Sequence, residues 1–170
     1  MGDLVEQLSG YGIAVECNKP LSALTTLRIG GPARYVLTVT DRTQLQVGLE
    51  ALARARERVY VLGQGSNVLA SDRGFAGAVV RLRGAFEEYA VRGDRIVAGG
   101  GVSLRRVVDG AVERSLAGLE ALAGIPGTVG GALAMNAGAH GVWISHVVEQ
   151  VTVLRVGDPS AGCTAVSPEE

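Results

Sequence analysis

Apolar positions along the chain fall into short runs with either helical or strand period. Leu4, Val5 and Leu8 share one helical face, which Gly10 and Gly12 bring to an end. Residues 18–31 read as irregular, punctuated by Pro20 and Gly30-Gly31-Pro32. From Arg34 to Thr40 the chain is rich in β-branched residues and reads as a strand. Asp41 then starts a helix with Leu45, Leu49 and Leu52 on one face. Arg58-Val59-Tyr60-Val61-Leu62 is a second strand, so residues 34–62 predict a β-α-β unit.

The pattern continues with a strand over Ala78-Val79-Val80-Arg81-Leu82. Tyr89 to Val91 and Arg95 to Ala98 predict a hairpin around Gly93-Asp94. Ser103 is a helix N-cap, and Leu104, Val107, Val108, Ala111, Val112 and Leu116 mark the face of a helix ending near Gly118. Residues 129–135 are a further helix-like run. Val147 to Val156 predicts a long strand turned by Gly157-Asp158-Pro159, with Cys163 to Val166 pairing back. The fold class is therefore α+β.

Composition narrows the function. The chain has 170 residues, 47% apolar and 19% charged, which describes a folded protein with one good core or two smaller ones. Aromatics at 4% and a net charge of −1 give no base-stacking surface and no pull toward nucleic acid or membrane. No apolar run reaches transmembrane length and Met1-Gly2-Asp3-Leu4 is not a signal sequence, so a cytoplasmic location is expected. Cys17 and Cys163 lack metal or redox spacing, and His140 and His146 are wrongly spaced for one helix face, so no metal site is expected.

Two glycine loops carry the candidate chemistry. Gly63-Gln64-Gly65-Ser66-Asn67-Val68 follows a strand, but its sixth residue is Val68 and no helix follows, so the dinucleotide fingerprint fails its own context. There is no Gly-Lys-Ser/Thr either. What remains is a nest of backbone N–H groups suited to a pyrophosphate, or simply a tight turn. In Gly124-Ile125-Pro126-Gly127-Thr128-Val129-Gly130-Gly131, glycines alternate with apolar residues. That loop suits a flat ring against backbone, with N–H groups at the start of the following helix facing its polar edge or an anion. Close packing of helix on sheet is the other reading. Asn136 adds a donor and an acceptor, and Gly138 ends the stretch. No catalytic constellation is visible.

Three segments resemble one known family. Thr25-Thr26-Leu27-Arg28-Ile29-Gly30-Gly31-Pro32-Ala33, then residues 63–69, then Gly118-Leu119-Glu120 through Gly138 are similar to the UDP-N-acetylenolpyruvoylglucosamine reductase (MurB) family. They come in the family's order and spacing, and the similarity covers residues 18–170. The resemblance implies a two-lobed FAD-binding domain of PCMH type, like the vanillyl-alcohol-oxidase group. It implies an N-terminal helix and linker over 1–17, a small β-α-β lobe over about 18–62, and a larger α+β lobe over about 63–170, truncated at its C-terminal end.

The resemblance also implies chemistry. Gly63, Gln64, Gly65, Ser66, Asn67 and Val68 would hold the FAD pyrophosphate; Ile125, Pro126, Gly127, Thr128, Val129, Gly130 and Gly131, with Asn136 and Gly138, would line the flavin and the rest of the cofactor. The family moves a hydride from NADPH through the flavin to an enolpyruvyl sugar nucleotide, in cytoplasmic peptidoglycan precursor synthesis. Its catalytic serine, arginine and glutamate have no counterpart in these residues, so the chain is expected to be a fragment and inactive alone. The alternative is a stand-alone, non-catalytic FAD-binding module, or a subunit that needs a partner. His140 stands where the family commonly has tyrosine, and Trp143 where it has glutamate.

Overall fold

The computed structural model describes residues 2–154 and 163–166. They divide into two compact units, residues 2–85 with Leu154, and residues 86–153 with 163–166.

In the first unit, α1 (Gly2–Gly10) buries Leu8 completely. The next element, β1 (Ala14–Pro20), is a strand where the sequence pattern gives only an irregular stretch from Asn18. Its physical signal is weak because it is a sheet edge, mostly exposed and without apolar alternation. Its partner defines it: β1 pairs antiparallel with β2 (Pro32–Val39), from Ala14 opposite Thr38 to Pro20 opposite Pro32. Helix α2 (Arg42–Arg54) starts as expected, with the Asp41 carboxylate accepting from Gln44 N–H at 2.8 Å. It buries Leu49 and Leu52.

Strand β3 (Val59–Val61) completes the β-α-β unit, yet it does not touch β2. Strand β4 (Phe75–Leu82) lies between them, parallel to both, in the order β1-β2-β4-β3. Ala78, Val79 and Val80 are buried in succession, as a central parallel strand covered on both faces requires. Residues 63–85 group with the first unit, whereas the resemblance implies a larger lobe starting at about 63. The core beneath is Leu21, Leu24, Ala33, Val36, Leu62 and Val79, with Val68, Ala70 and Phe75 packed against it.

In the second unit, β5 (Tyr89–Arg92) and β6 (Arg95–Ala98) form the expected hairpin, turned at Gly93 with φ +64°. Ser103 caps α3 (Leu104–Glu113), its hydroxyl accepting from Arg106 N–H. The helix buries Leu104, Val107, Val108 and Ala111 but leaves Val112 65% exposed. At about 100° per residue, Val112 falls roughly 80° from Leu104, at the stripe's outer edge. The helix also stops before Leu116, because Ser115 turns left-handed at φ +55°.

Further along are α4 (Val129–Ala134), a hairpin of β7 (Gly138–Ala139) and β8 (Val142–Trp143), and a pair of β9 (Val151–Leu154) with β10 (Cys163–Val166). The long strand expected from Val147 begins only at Val151. Before it, a 3-10 turn over Ile144–His146 is held by buried Ile144, whose N–H donates to Ala137 O at 2.8 Å. The remainder of that expected strand, 155–156, and its Gly157-Asp158-Pro159 turn lie outside the described residues. Leu104, Val108, Leu122, Ala132 and Ile144 form this unit's core. Among the described residues no helix is long and apolar enough to cross a membrane.

The exposure of Val112 has a direct test. Val112→Glu is expected to change stability by less than about 0.5 kcal/mol, as surface substitutions do. Val108→Glu, on the buried face, is expected to cost at least ~3 kcal/mol by stranding a charge in the core. Urea denaturation of the two variants measures the difference.

Candidate functional site

Strands β3 and β4 are parallel neighbours joined without a helix, so residues 62–74 must run back along the sheet as an irregular crossover. The first glycine loop, 63–68, is the start of that crossover, at the carboxyl end of β3. Open α/β sheets place ligands at such ends.

The crossover packs against the connection between β1 and β2. Thr26 N–H donates to Gly65 O at 3.0 Å, and Gly31 N–H donates to Ser71 O at 2.9 Å. Gly65 is buried at φ +68°, and a Cβ there would meet the Leu24 carbonyl and lie 2.8 Å from Thr25 Cα. Glycine at 65 is thus required by the chain's own close approach. Val68 turns its side chain to the core, while Gln64 and Asn67 are exposed. Among the described residues, the N–H groups of Gly63, Gln64, Gly65, Asn67 and Val68 donate to no protein acceptor. Five such donors in one short, partly buried loop are what an anion-binding nest needs.

The second loop is built differently. Val129 N–H donates to Val102 O at 2.8 Å, Gly130 N–H to Gly100 O at 2.9 Å, and Gly131 N–H to the Thr128 hydroxyl at 3.2 Å. The first N–H groups of α4 are consumed, which corrects the expectation that they face an anion or a ring. The Gly99-Gly100-Gly101 segment that takes part of them reads in the sequence only as a strand end. A Cβ at Gly130 would lie 2.9 Å from Gly100 O, so this glycine also serves backbone packing. Upstream, Gly124 has φ +84° with nothing within 4 Å of where its Cβ would be. The N–H groups of Gly124, Gly127 and Thr128 have no protein acceptor among the described residues. Ile125 packs on the core, and Thr128 is buried as the α4 cap.

Asn136 is exposed at φ +42°, its Oδ1 accepting from Ser145 N–H at 3.3 Å. Gly138 lies against Trp143, whose Cδ1 would be 2.6 Å from a Cβ there. His140 and Gly141, at φ +53° and +80°, form the two-residue turn between β7 and β8. His140 is therefore an exposed turn residue. The Trp143 ring meets His146 edge-on at 5.4 Å. Nearby, backbone N–H groups of Glu120 itself and of Gly118 hold the Glu120 carboxyl below its ordinary value, Gly118 donating at 2.7 Å. Among the described residues no cluster of three or more His, Cys, Asp or Glu could hold a metal.

Residues 33–162 match the family model described as FAD binding domain. A UDP-N-acetylenolpyruvoylglucosamine reductase of Symbiobacterium thermophilum is 46% identical over 80% of the chain and 44% of the relative. One of Geobacter metallireducens is 43% identical over 83% of the chain and 47% of the relative. The chain thus spans less than half the length of these relatives. The crystal structure of UDP-N-acetylenolpyruvylglucosamine reductase from Thermus caldophilus superposes with TM-score 0.79 at 37% identity, covering 92% of the chain and 53% of that structure. Glucooligosaccharide oxidase of Acremonium strictum shares the fold, with TM-score 0.60 at 13% identity over 98% of the chain and 37% of the oxidase.

Two glycines separate packing from openness. Gly124→Ala is expected to cost about 1–2 kcal/mol, the left-handed penalty alone. Gly65→Ala is expected to cost more, since backbone atoms of Leu24 and Thr25 occupy the space. Urea midpoints of the two variants check the order. For Glu120, a lowered folded pKa means its stabilisation is present above the ordinary carboxylate value and is lost as pH falls through the lowered one. A carboxyl-carbon NMR titration should place its inflection below that of free glutamate, and Glu120→Gln should remove this pH dependence.

Proposed function

The chain belongs to the FAD binding domain family, and on that premise we propose that it is the FAD-binding part of a UDP-N-acetylenolpyruvoylglucosamine reductase. The observation that carries the reading is that the N–H groups of Gly63, Gln64, Gly65, Asn67 and Val68 have no protein acceptor among the described residues. A diphosphate offers anionic acceptors to such donors without any basic side chain. Gly63, Gln64, Gly65, Asn67 and Val68 would hold it through their N–H groups, with Gln64, Ser66 and Asn67 adding side-chain polar atoms. These residues fit the pyrophosphate of FAD.

In the second unit, the open space at Gly124 and the N–H groups of Gly127 and Thr128 suit the edge of a flat ring. Ile125, Pro126, Val129, Gly130 and Gly131 would contribute apolar surface or close backbone, with Asn136 and Gly138 beyond them. Asn136 keeps its amide nitrogen for a ligand while its oxygen fixes the side chain through Ser145 N–H. FAD supplies a reversible carrier for a hydride's two electrons when bound. The residues of this chain bind and orient it and keep water away; no acid or base for substrate protonation is assigned among them. NADPH as electron donor and an enolpyruvyl sugar nucleotide as acceptor, in peptidoglycan precursor synthesis in the cytoplasm, complete the proposal. The sequence similarity to named reductases supports this substrate class.

Flavin fluorescence quenching tests the assignment. A single charge-assisted hydrogen bond contributes roughly 1.5–3 kcal/mol, so FAD should bind at least about tenfold more tightly than FMN, which lacks the pyrophosphate. ADP should compete with FAD. Equal affinity for FAD and FMN would refute the role of residues 63–68. Bleaching of the bound flavin's visible absorbance on adding NADPH tests the electron donor.

A further inference from the structure

We infer that Thr25 is a positioning residue for the 63–68 loop, acting through a hydroxyl staple across the turn 25–29. The inference rests on the reading of that loop as a pyrophosphate site. Thr25 is 6% exposed, and with Thr128 it is one of the buried polar side chains. A buried hydroxyl must find a partner, and here Oγ1 donates to Ile29 O at 3.0 Å. Arg28 N–H donates to Thr25 O at 3.1 Å, so the turn is closed twice on the same residue.

Within the turn, Arg28 is left-handed at φ +55°, an unfavourable state for a side chain with a Cβ. Packing does not hold it there, because Leu27 is 58% exposed and Ile29 42% exposed. The hydrogen bonds from and to Thr25 therefore fix the conformation. That conformation meets the loop directly. Thr26 N–H donates to Gly65 O at 3.0 Å, and Thr25 Cα is the wall against which Gly65 is seated. Gly65 itself carries one of the donors without protein acceptors among the described residues, and the other four lie on either side of it. The Thr25 hydroxyl bonds to Ile29 O, so its action on those donors passes through the position of Gly65.

Thr25→Val keeps the shape and removes the hydroxyl, leaving the Ile29 carbonyl without its donor. FAD affinity of the chain is expected to fall about tenfold, while FMN affinity stays within about twofold, because FMN makes no pyrophosphate contact. Thr25→Ser should restore FAD binding to within about threefold of wild type. A general loss of structure would lower both affinities together. Equal loss for FAD and FMN, no loss at all, or a serine variant as weak as the valine variant would overturn the inference. If Thr25→Val does not fold, Thr25→Ala against Thr25→Ser makes the same comparison. Wild type without preference for FAD would instead remove the underlying reading of the loop, and the inference with it.

Discussion

The contact on which the first unit depends is backbone against backbone, where Gly65 meets Leu24, Thr25 and Thr26. A parallel neighbour must be reached by a crossover, and a helix is the usual way to satisfy its polar groups. Residues 62–74 have no helix, so adjacent chain, solvent or a ligand must meet their polar groups. The β1–β2 connection does this at two points, Thr26 to Gly65 and Gly31 to Ser71. Gly31 and Gly74 show the same economy of space, their missing Cβ positions being filled by backbone of Asp72 and Pro32. With the crossover pinned at both ends, Val68 and Ala70 can enter the core, and the N–H groups of Gly63, Gln64, Gly65, Asn67 and Val68 are left without protein acceptors among the described residues.

The two glycine loops look alike in composition and differ in hydrogen bonding. In loop 63–68 one glycine is required by packing, and the N–H groups of Gln64, Asn67 and Val68 near it have no protein acceptor among the described residues. In loop 124–131 the donors at the start of α4 are taken by Val102, Gly100 and Thr128, while Gly124 faces open space. Glycine content alone therefore does not mark a ligand contact. A run of neighbouring N–H groups without protein acceptors is the more specific feature, and among the described residues loop 63–68 has five against three in 124–128. We propose the phosphate for the first loop and the ring for the second.

The departures from the family at 140 and 143 also find local reasons. A two-residue turn with both residues left-handed tolerates histidine far better than a β-branched residue. Trp143 covers the space beside Gly138 and meets His146, so its ring completes a small cluster at the hairpin.

Much of the architecture is legible in the residues themselves. Asp41 and Ser103 cap helices because their side chains can reach an N–H three residues on. Gly93-Asp94 turns a hairpin because glycine tolerates positive φ, and two of the three family segments, 63–69 and 118–138, lie within the residues that match the FAD binding domain. Tertiary structure alone decided the rest. The insertion of β4 between β2 and β3 moves residues 63–85 into the first unit, and pairing partners do not follow from local period. Edge strand β1 is defined by β2, since its own exposed side chains carry no alternation. Which loop N–H groups remain open is likewise a property of neighbours, because Gly65 and Gly130 read identically as glycine until the chain beside each is in place.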